Sequence, residues 1–250
     1  MIGSLFSGIG GLELGLERAG LGSVAWQVEI DPFCRHVLEK HWPDAKRYDD
    51  VRGFCAPRLG LERPSLICGG FPCQDVSVAG KGAGLAGTRS GLWVEFERIV
   101  DECQPAIVVV ENVAHGSERW RPRVASDLEA LGYVPATVLV SAGSLGAPHR
   151  RDRAFVVADP IGLALRYLEQ REPARRPRGV RDAGQAVALD DGAGGHASGS
   201  CPWQALPRVG GMGDGLSSGL DDARLRALGN AVCPQQAEVI GRFIREALSI

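Results

Sequence analysis

The chain has 250 residues, with 28 Lys and Arg against 30 Asp and Glu for a net charge of −2. That length holds one main core with a small appended lobe and excludes two full-sized domains; the charge balance excludes a global positive field, so any nucleic-acid surface must be local. Seven cysteines without a CxxC pair, and an N-terminus "MIGSLFSGIGG" lacking a charged region and a long apolar one, predict free thiols in a reducing cytoplasm. The same features argue against structural zinc and a signal peptide, and no apolar run approaches the roughly 20 residues of a membrane span.

In chain order, short apolar runs at residues 2–6, 24–30, 65–68, 106–110, 134–140 and 154–158 read as strands. Segments at 11–19, 32–41 and 91–102 between them carry helical periodicity. This alternation predicts an α/β fold, a Rossmann-like, mostly parallel, doubly wound sheet covered on both faces. Ligands of such sheets sit at the carboxyl ends of the strands, so Ser7, Glu29, Cys73 and Glu111 are expected to converge. Between 159 and 222 the character changes to twelve glycines and the basic run "RYLEQREPARRPRGVR". The sequence thus divides into a main domain at 1–158, a small loop-rich lobe at 159–222 and a C-terminal segment at 223–250. In the last, a helix over 237–248 is expected to pack back on the first domain.

Each candidate site has a bland alternative beside the chemical one. In "LFSGIGGLELGLERAG" the glycines permit close approach to a ligand and leave helix N-terminal amides free. The dinucleotide pattern GxGxxG, begun by Gly8 and Gly10, fails at Glu13, which disfavours a nicotinamide cofactor. Glu29 lies 21 positions after Gly8, where an acid can accept ribose hydroxyls, or is a solvated strand-end carboxylate. Asp50 in "YDDV" offers an acceptor for an adenine amino group or a turn residue. Cys73 in "CGGFPCQDVS" is either a small buried thiol or a nucleophile, set after a stiff proline and beside two glycines. Glu111 ends the buried pattern "AIVVVEN", where a carboxyl tends to keep its proton and can donate it to a ring nitrogen; otherwise it is a cap or an ion-pair residue. Arg151 and Arg153 alternate before a strand and should point the same way, as phosphate or carbonyl contacts or as surface arginines.

Taken together, "FSGIGG", "VEID", "GGFPCQDVS", "VVENV", "APHRRDRAFVVA" and "RLRALGNAVCPQQ" make the sequence resemble the cytosine-5 DNA methyltransferases of bacterial or phage type, apart from about 159–205. The resemblance implies that S-adenosyl-L-methionine lies on Phe6, Gly8, Ile9, Gly10 and Gly11, with Glu29 on the ribose, Ile30 against the adenine and Asp50 on its amino group. It further implies contacts from Val51, Pro72, Asn230 and Val232. Cys73 would attack carbon 6 of cytosine, Glu111 would donate to nitrogen 3, and Arg153 with Arg151 would hold the base. The implied partner is double-stranded DNA with its target cytosine swung out of the helix. The protein would be a cytoplasmic, nucleoid-associated monomer without metal or membrane contact, and a cognate restriction endonuclease could accompany it. The loop from Cys73 to Gly91, with Lys81 and Arg89, is expected to close over the DNA. The lobe's six arginines from Arg166 to Arg181 form a phosphate-binding strip or a solvated linker. Rival readings are an RNA cytosine-5 methyltransferase, a non-catalytic DNA-binding module of the same fold and a nicotinamide oxidoreductase.

Overall fold

The computed structural model describes residues 1–72, 91–171, 186–188 and 218–249. Its strands are β1 (Ile2–Leu5), β2 (Val24–Val28), β3 (Lys46–Tyr48), β4 (Leu66–Gly69), β5 (Ile107–Val113), β6 (Val134–Ser141), β7 (Asp152–Asp159) and β8 (Ala186–Ala188). One sheet takes them in the order β3-β2-β1-β4-β5-β7-β6-β8. From β3 to β5 all neighbours run parallel. Strand β7 is antiparallel to both β5 and β6, so it alone is reversed. The expected α/β, mostly parallel architecture is therefore present.

The helices are α1 (Gly11–Arg18), α2 (Pro32–His41), α3 (Leu92–Cys103), α4 (Ser117–Ala130), α5 (Leu163–Arg171), α6 (Ser218–Asn230) and α7 (Pro234–Ala247), with a short 3-10 turn at Gly143–Leu145. They cover both faces of the sheet, and strand alternation divides the core accordingly. Val108 and Val110 of β5 pack with Trp93 and Phe96 of α3 and Trp120 and Val124 of α4. Ile107 and Val109 pack with Leu12 and Leu16 of α1 and Ile240 and Phe243 of α7. Each such side chain taken fully from water contributes about 1.5–3 kcal/mol. Helix α7 lies along α1, as the C-terminal periodicity leads one to expect.

Two boundaries differ from the sequence-based division. Helix α5 packs on β6, β7 and α7, and its Ala164, Tyr167 and Leu168 are buried in the core, so the main body continues past 158. Helix α6 runs without a break across 222 and 223. The remainder of the expected lobe, including most of its arginines, lies outside the described residues, apart from the short β8. Among the described residues no helix is long and apolar enough to cross a membrane, and no group of three or more His, Cys, Asp or Glu could hold a metal ion.

Candidate active site

The turn that leaves β1 is built from left-handed residues: Phe6 at φ 54°, Gly8 at 55° and Gly10 at 85°. For glycine this is free of strain; for Phe6 it costs on the order of 1–3 kcal/mol, which marks a residue held in place by its surroundings. The turn is tied to the end of β2 by Glu29, whose Oε2 accepts the Gly8 amide at 2.7 Å and whose Oε1 accepts the Asp31 amide at 2.8 Å. Burial raises the Glu29 carboxyl above its ordinary range, and these amides oppose the shift. Asp31 then caps α2, accepting from the Phe33 amide at 2.8 Å ahead of Pro32 in the first turn. Such a cap contributes about 1 kcal/mol. Between Glu29 and that cap, Ile30 is left 67% exposed beside the turn.

The other residues implied around this turn take different positions. Ile9 is half-buried. Asp50 accepts the amide of Arg52 at 2.9 Å, the turn geometry its sequence context allows, and its second oxygen stands 3.7 Å from the Arg52 guanidinium. Val51 is buried in the core, and its carbonyl is held by Arg98 at 3.0 Å.

The C-terminal segment closes the turn from above. A Cβ on Gly11 would stand 2.1 Å from the Val232 carbonyl oxygen, so only glycine lets the two backbones meet. The cleft thus formed runs from Phe6, Ser7 and Gly8, past Asn230 and Val232, to Gly70 and Glu111. One concave space therefore joins the glycine turn to the carboxyl at the end of β5.

Glu111 owes its partner to the reversed strand. Antiparallel β7 enters the sheet at the end where β5 leaves it, so Glu111 pairs with Phe155 and Val113 with Arg153. Glu111 and Arg153 are diagonal neighbours on one face. The Arg153 Nε lies 2.8 Å from Glu111 Oε1, with side-chain exposures of 10% and 7%. Burial pushes the Glu111 carboxyl up to about 7, outweighing the opposing pull of Arg153 and Arg151. With Oε1 occupied by Arg153, Oε2 is the oxygen left to carry a proton. Gly70 keeps that side open, since a Cβ there would lie 2.6 Å from Oε2.

Arg151 departs from the expectation. It precedes β7 with φ at 38°, which breaks the alternation that would have aligned it with Arg153. Its Nη2 donates to the carbonyls of Gly229 at 2.9 Å and of Ala231, at the end of α6. Arg151 is thus a clasp holding residues 229–231 over the cleft. Pro72, half-buried, follows β4 and leads to Cys73, which lies outside the described residues together with the loop that follows it.

Three residues of the site stand outside the roles that the sequence motifs suggest. Asn112, buried beside Glu111, donates from Nδ2 to the Phe71 carbonyl at 3.0 Å and so ties the end of β5 to the residue that follows Gly70. Gln236, fully buried, donates from Nε2 to the carbonyls of Val140 at 2.7 Å and Arg151 at 2.8 Å. Glu13, which in the sequence only breaks a glycine pattern, is fully buried and lines the cleft. The available signals were an amide ending an apolar run, a glutamine on the apolar face of α7 and an acid between Leu12 and Leu14.

Comparison with known proteins follows the same lines. Residues 1–177 match the C-5 cytosine-specific DNA methylase family. Over 165 residues the chain is 37% identical to Type II methyltransferase M2.BsuMI of Bacillus subtilis, covering 62% of this chain and 41% of the relative. It is 34% identical over 169 residues to Type II methyltransferase M.NgoBI of Neisseria gonorrhoeae, covering 66% of this chain and 52% of the relative. The chain thus spans about half the length of these relatives. The structure of a DNMT2 variant from Spodoptera frugiperda shares the fold at a TM-score of 0.54 and 19% identity, covering 75% of this chain and 54% of that one. The match over 1–177, together with the buried Glu111–Arg153 pair and the glycine turn, shows that the chain belongs to the C-5 cytosine-specific DNA methylase family.

Proposed function

We propose that the protein is a DNA (cytosine-5-)-methyltransferase that uses S-adenosyl-L-methionine and acts on a cytosine turned out of duplex DNA in the cytoplasm. The observation that carries this reading is the cleft that joins the glycine turn to the buried Glu111, paired with Arg153. Residues around the turn suit the cofactor: open space at Gly8, Glu29 at the end of β2, an exposed Ile30 beside it, and Asn230 and Val232 overhead. When bound, S-adenosyl-L-methionine supplies the electrophilic methyl group that carbon 5 of the cytosine takes up.

The chain's own residues make carbon 5 able to do so. The Cys73 thiolate adds to carbon 6, which turns the ring into an enamine-like nucleophile, and after methyl transfer loss of the carbon 5 proton expels the thiolate and restores the ring. Burial pushes the thiol of Cys34 to about 12 and of Cys103 to about 11, and raises those of Cys68 and Cys233, which disfavours their thiolates. Glu111 donates its Oε2 proton to nitrogen 3 as the thiolate adds, and Arg153, fixed by Glu111, faces the base oxygen. Arg151 acts one step removed, by holding the Asn230–Val232 wall. Turning the base out costs a few kcal/mol, which phosphate contacts offset.

Two measurements check this reading. Incubation with S-adenosyl-L-methionine and mixed-sequence duplex DNA, with transfer RNA in parallel, is expected to yield 5-methylcytosine in DNA by nucleoside mass spectrometry; product in RNA alone would move the substrate to the rival branch. Substituting Gly11→Ala forces the Val232 carbonyl outward, and calorimetry is expected to show at least about tenfold weaker S-adenosyl-L-methionine binding, the scale of one lost buried contact. Unchanged binding would separate the cofactor from this turn.

A further inference from the structure

Glu13 is the buried ionisable group that the proposed mechanism leaves unused. It sits in the first turn of α1 with no exposed surface. Its Oε1 accepts from Ser4 Oγ at 2.6 Å, and Ser4 Oγ lies 2.8 Å from Ser7 Oγ in the glycine turn. Its Oε2 is buried and has no hydrogen-bond partner. Glu13, Ser4 and Ser7 all line the cleft.

The charged surroundings make that orphan oxygen unusual. Glu29 at the end of β2 is acidic, as is Glu17 on α1, and the Cys68 thiol on β4 feels both Glu13 and Glu17. Helix α7 brings Glu238 and Arg242, paired with each other, and Arg245, which donates to the Ala19 carbonyl. No cation among the described residues forms a salt bridge or hydrogen bond with Glu13. Burial pushes its carboxyl up to about 7, outweighing the opposing pull of the Ser4 hydroxyl. A carboxyl so buried keeps its proton when alone, and a cationic ligand reaching its free oxygen favours the ionised form instead.

We propose that Glu13 is the counter-charge for the α-ammonium group at the amino-acid end of the methyl donor, acting through its free Oε2 and through the Ser4–Ser7 hydroxyls. This rests on the functional reading above. Both S-adenosylmethionine and its demethylated product carry that ammonium, so Glu13 grips the two alike. Arrival of the ammonium favours the charged carboxylate, so ligand binding releases a proton from Glu13 to solvent.

The test is calorimetry at pH 6.5 in two buffers of different ionisation enthalpy, using S-adenosylmethionine, S-adenosylhomocysteine and the des-amino analogue of the latter. With the wild type, the two amino-bearing ligands are expected to release protons, and the des-amino analogue to bind more weakly with less release. Glu13→Gln is expected to weaken both amino-bearing ligands about 10- to 100-fold, the range for one lost charge-assisted hydrogen bond, and to leave the des-amino analogue unchanged. The wild-type comparison keeps the test decisive should the variant fold poorly. Equal proton release with all three ligands in the wild type, or equal weakening of all three in the variant, would overturn the proposal. Absence of S-adenosylmethionine binding by the wild type would instead overturn the functional reading, and this inference with it.

Discussion

Replacing Cys73 with alanine is expected to abolish methyl transfer, lowering the rate below detection while S-adenosyl-L-methionine still binds with wild-type affinity. Carbon 5 of cytosine is a weak nucleophile in the intact aromatic ring, and no amount of positioning changes that without addition at carbon 6. Among the described residues, Phe6, Ser7, Gly8 and Gly11 on one side and Asn230 and Val232 on the other shape the cleft, and all of them are unchanged in this variant. Single-turnover assay with labelled methyl donor reads the first half of the prediction and calorimetry the second. Residual turnover at a few per cent of wild type would mean that another group performs the addition.

Glu111→Gln is the second large effect. It is expected to lower turnover by about 10²- to 10⁴-fold, the usual range for removing a positioned acid. The amide keeps the shape and can still meet Arg153, so DNA and cofactor affinity should change little. The pH dependence separates this from a merely structural role. Because the native carboxyl titrates near 7 and an ordinary one near 4.5, the folded state binds the proton more tightly than the unfolded state between those values. The contribution of Glu111 to stability is therefore full at low pH and falls as pH rises from about 4.5 to 7, by about 1.4 kcal/mol for each pH step of one across that window. The stability of wild type relative to Glu111→Gln should accordingly decline from pH 5 to pH 8 in urea titrations. A flat difference would show that Glu111 is already ionised across this range.

Much of this site is legible in the sequence because each piece has a local cause. The glycine turn follows from its glycines, and Glu29 and Glu111 stand where apolar strands end, so the parallel sheet brings them to one edge. What is not legible depends on pairings remote in sequence. The reversal of β7 leaves no trace in its composition, since a buried strand is apolar in either direction, yet that reversal is what delivers Arg153 to Glu111. Arg151 and Arg153 look equivalent by alternation, and a single positive φ at Arg151 sends the first to the end of α6. Strand β3, only three residues of "KRY", is polar enough to escape a hydrophobic pattern and exists because β2 offers it a parallel edge. Helix α5 falls in a stretch rich in glycine and arginine, and only its packing against β6, β7 and α7 shows that Ala164, Tyr167 and Leu168 belong to the main core. Glu13 sits at a helix position where an acid is commonplace, and its importance arises from Ser4 on the neighbouring strand.

The central claim, addition of Cys73 to carbon 6 in the course of methyl transfer to carbon 5, is tested most directly by trapping. Duplex DNA carrying 5-fluorocytosine offers carbon 5 a substituent that cannot leave as a cation, so the closing elimination is blocked after the methyl group arrives. Intact-protein mass spectrometry with S-adenosyl-L-methionine present is expected to show a denaturation-stable protein–DNA adduct, mapped by digestion to Cys73 and absent from Cys73→Ala. No adduct with DNA that the enzyme otherwise methylates, or an adduct mapped to a different cysteine, would contradict the account.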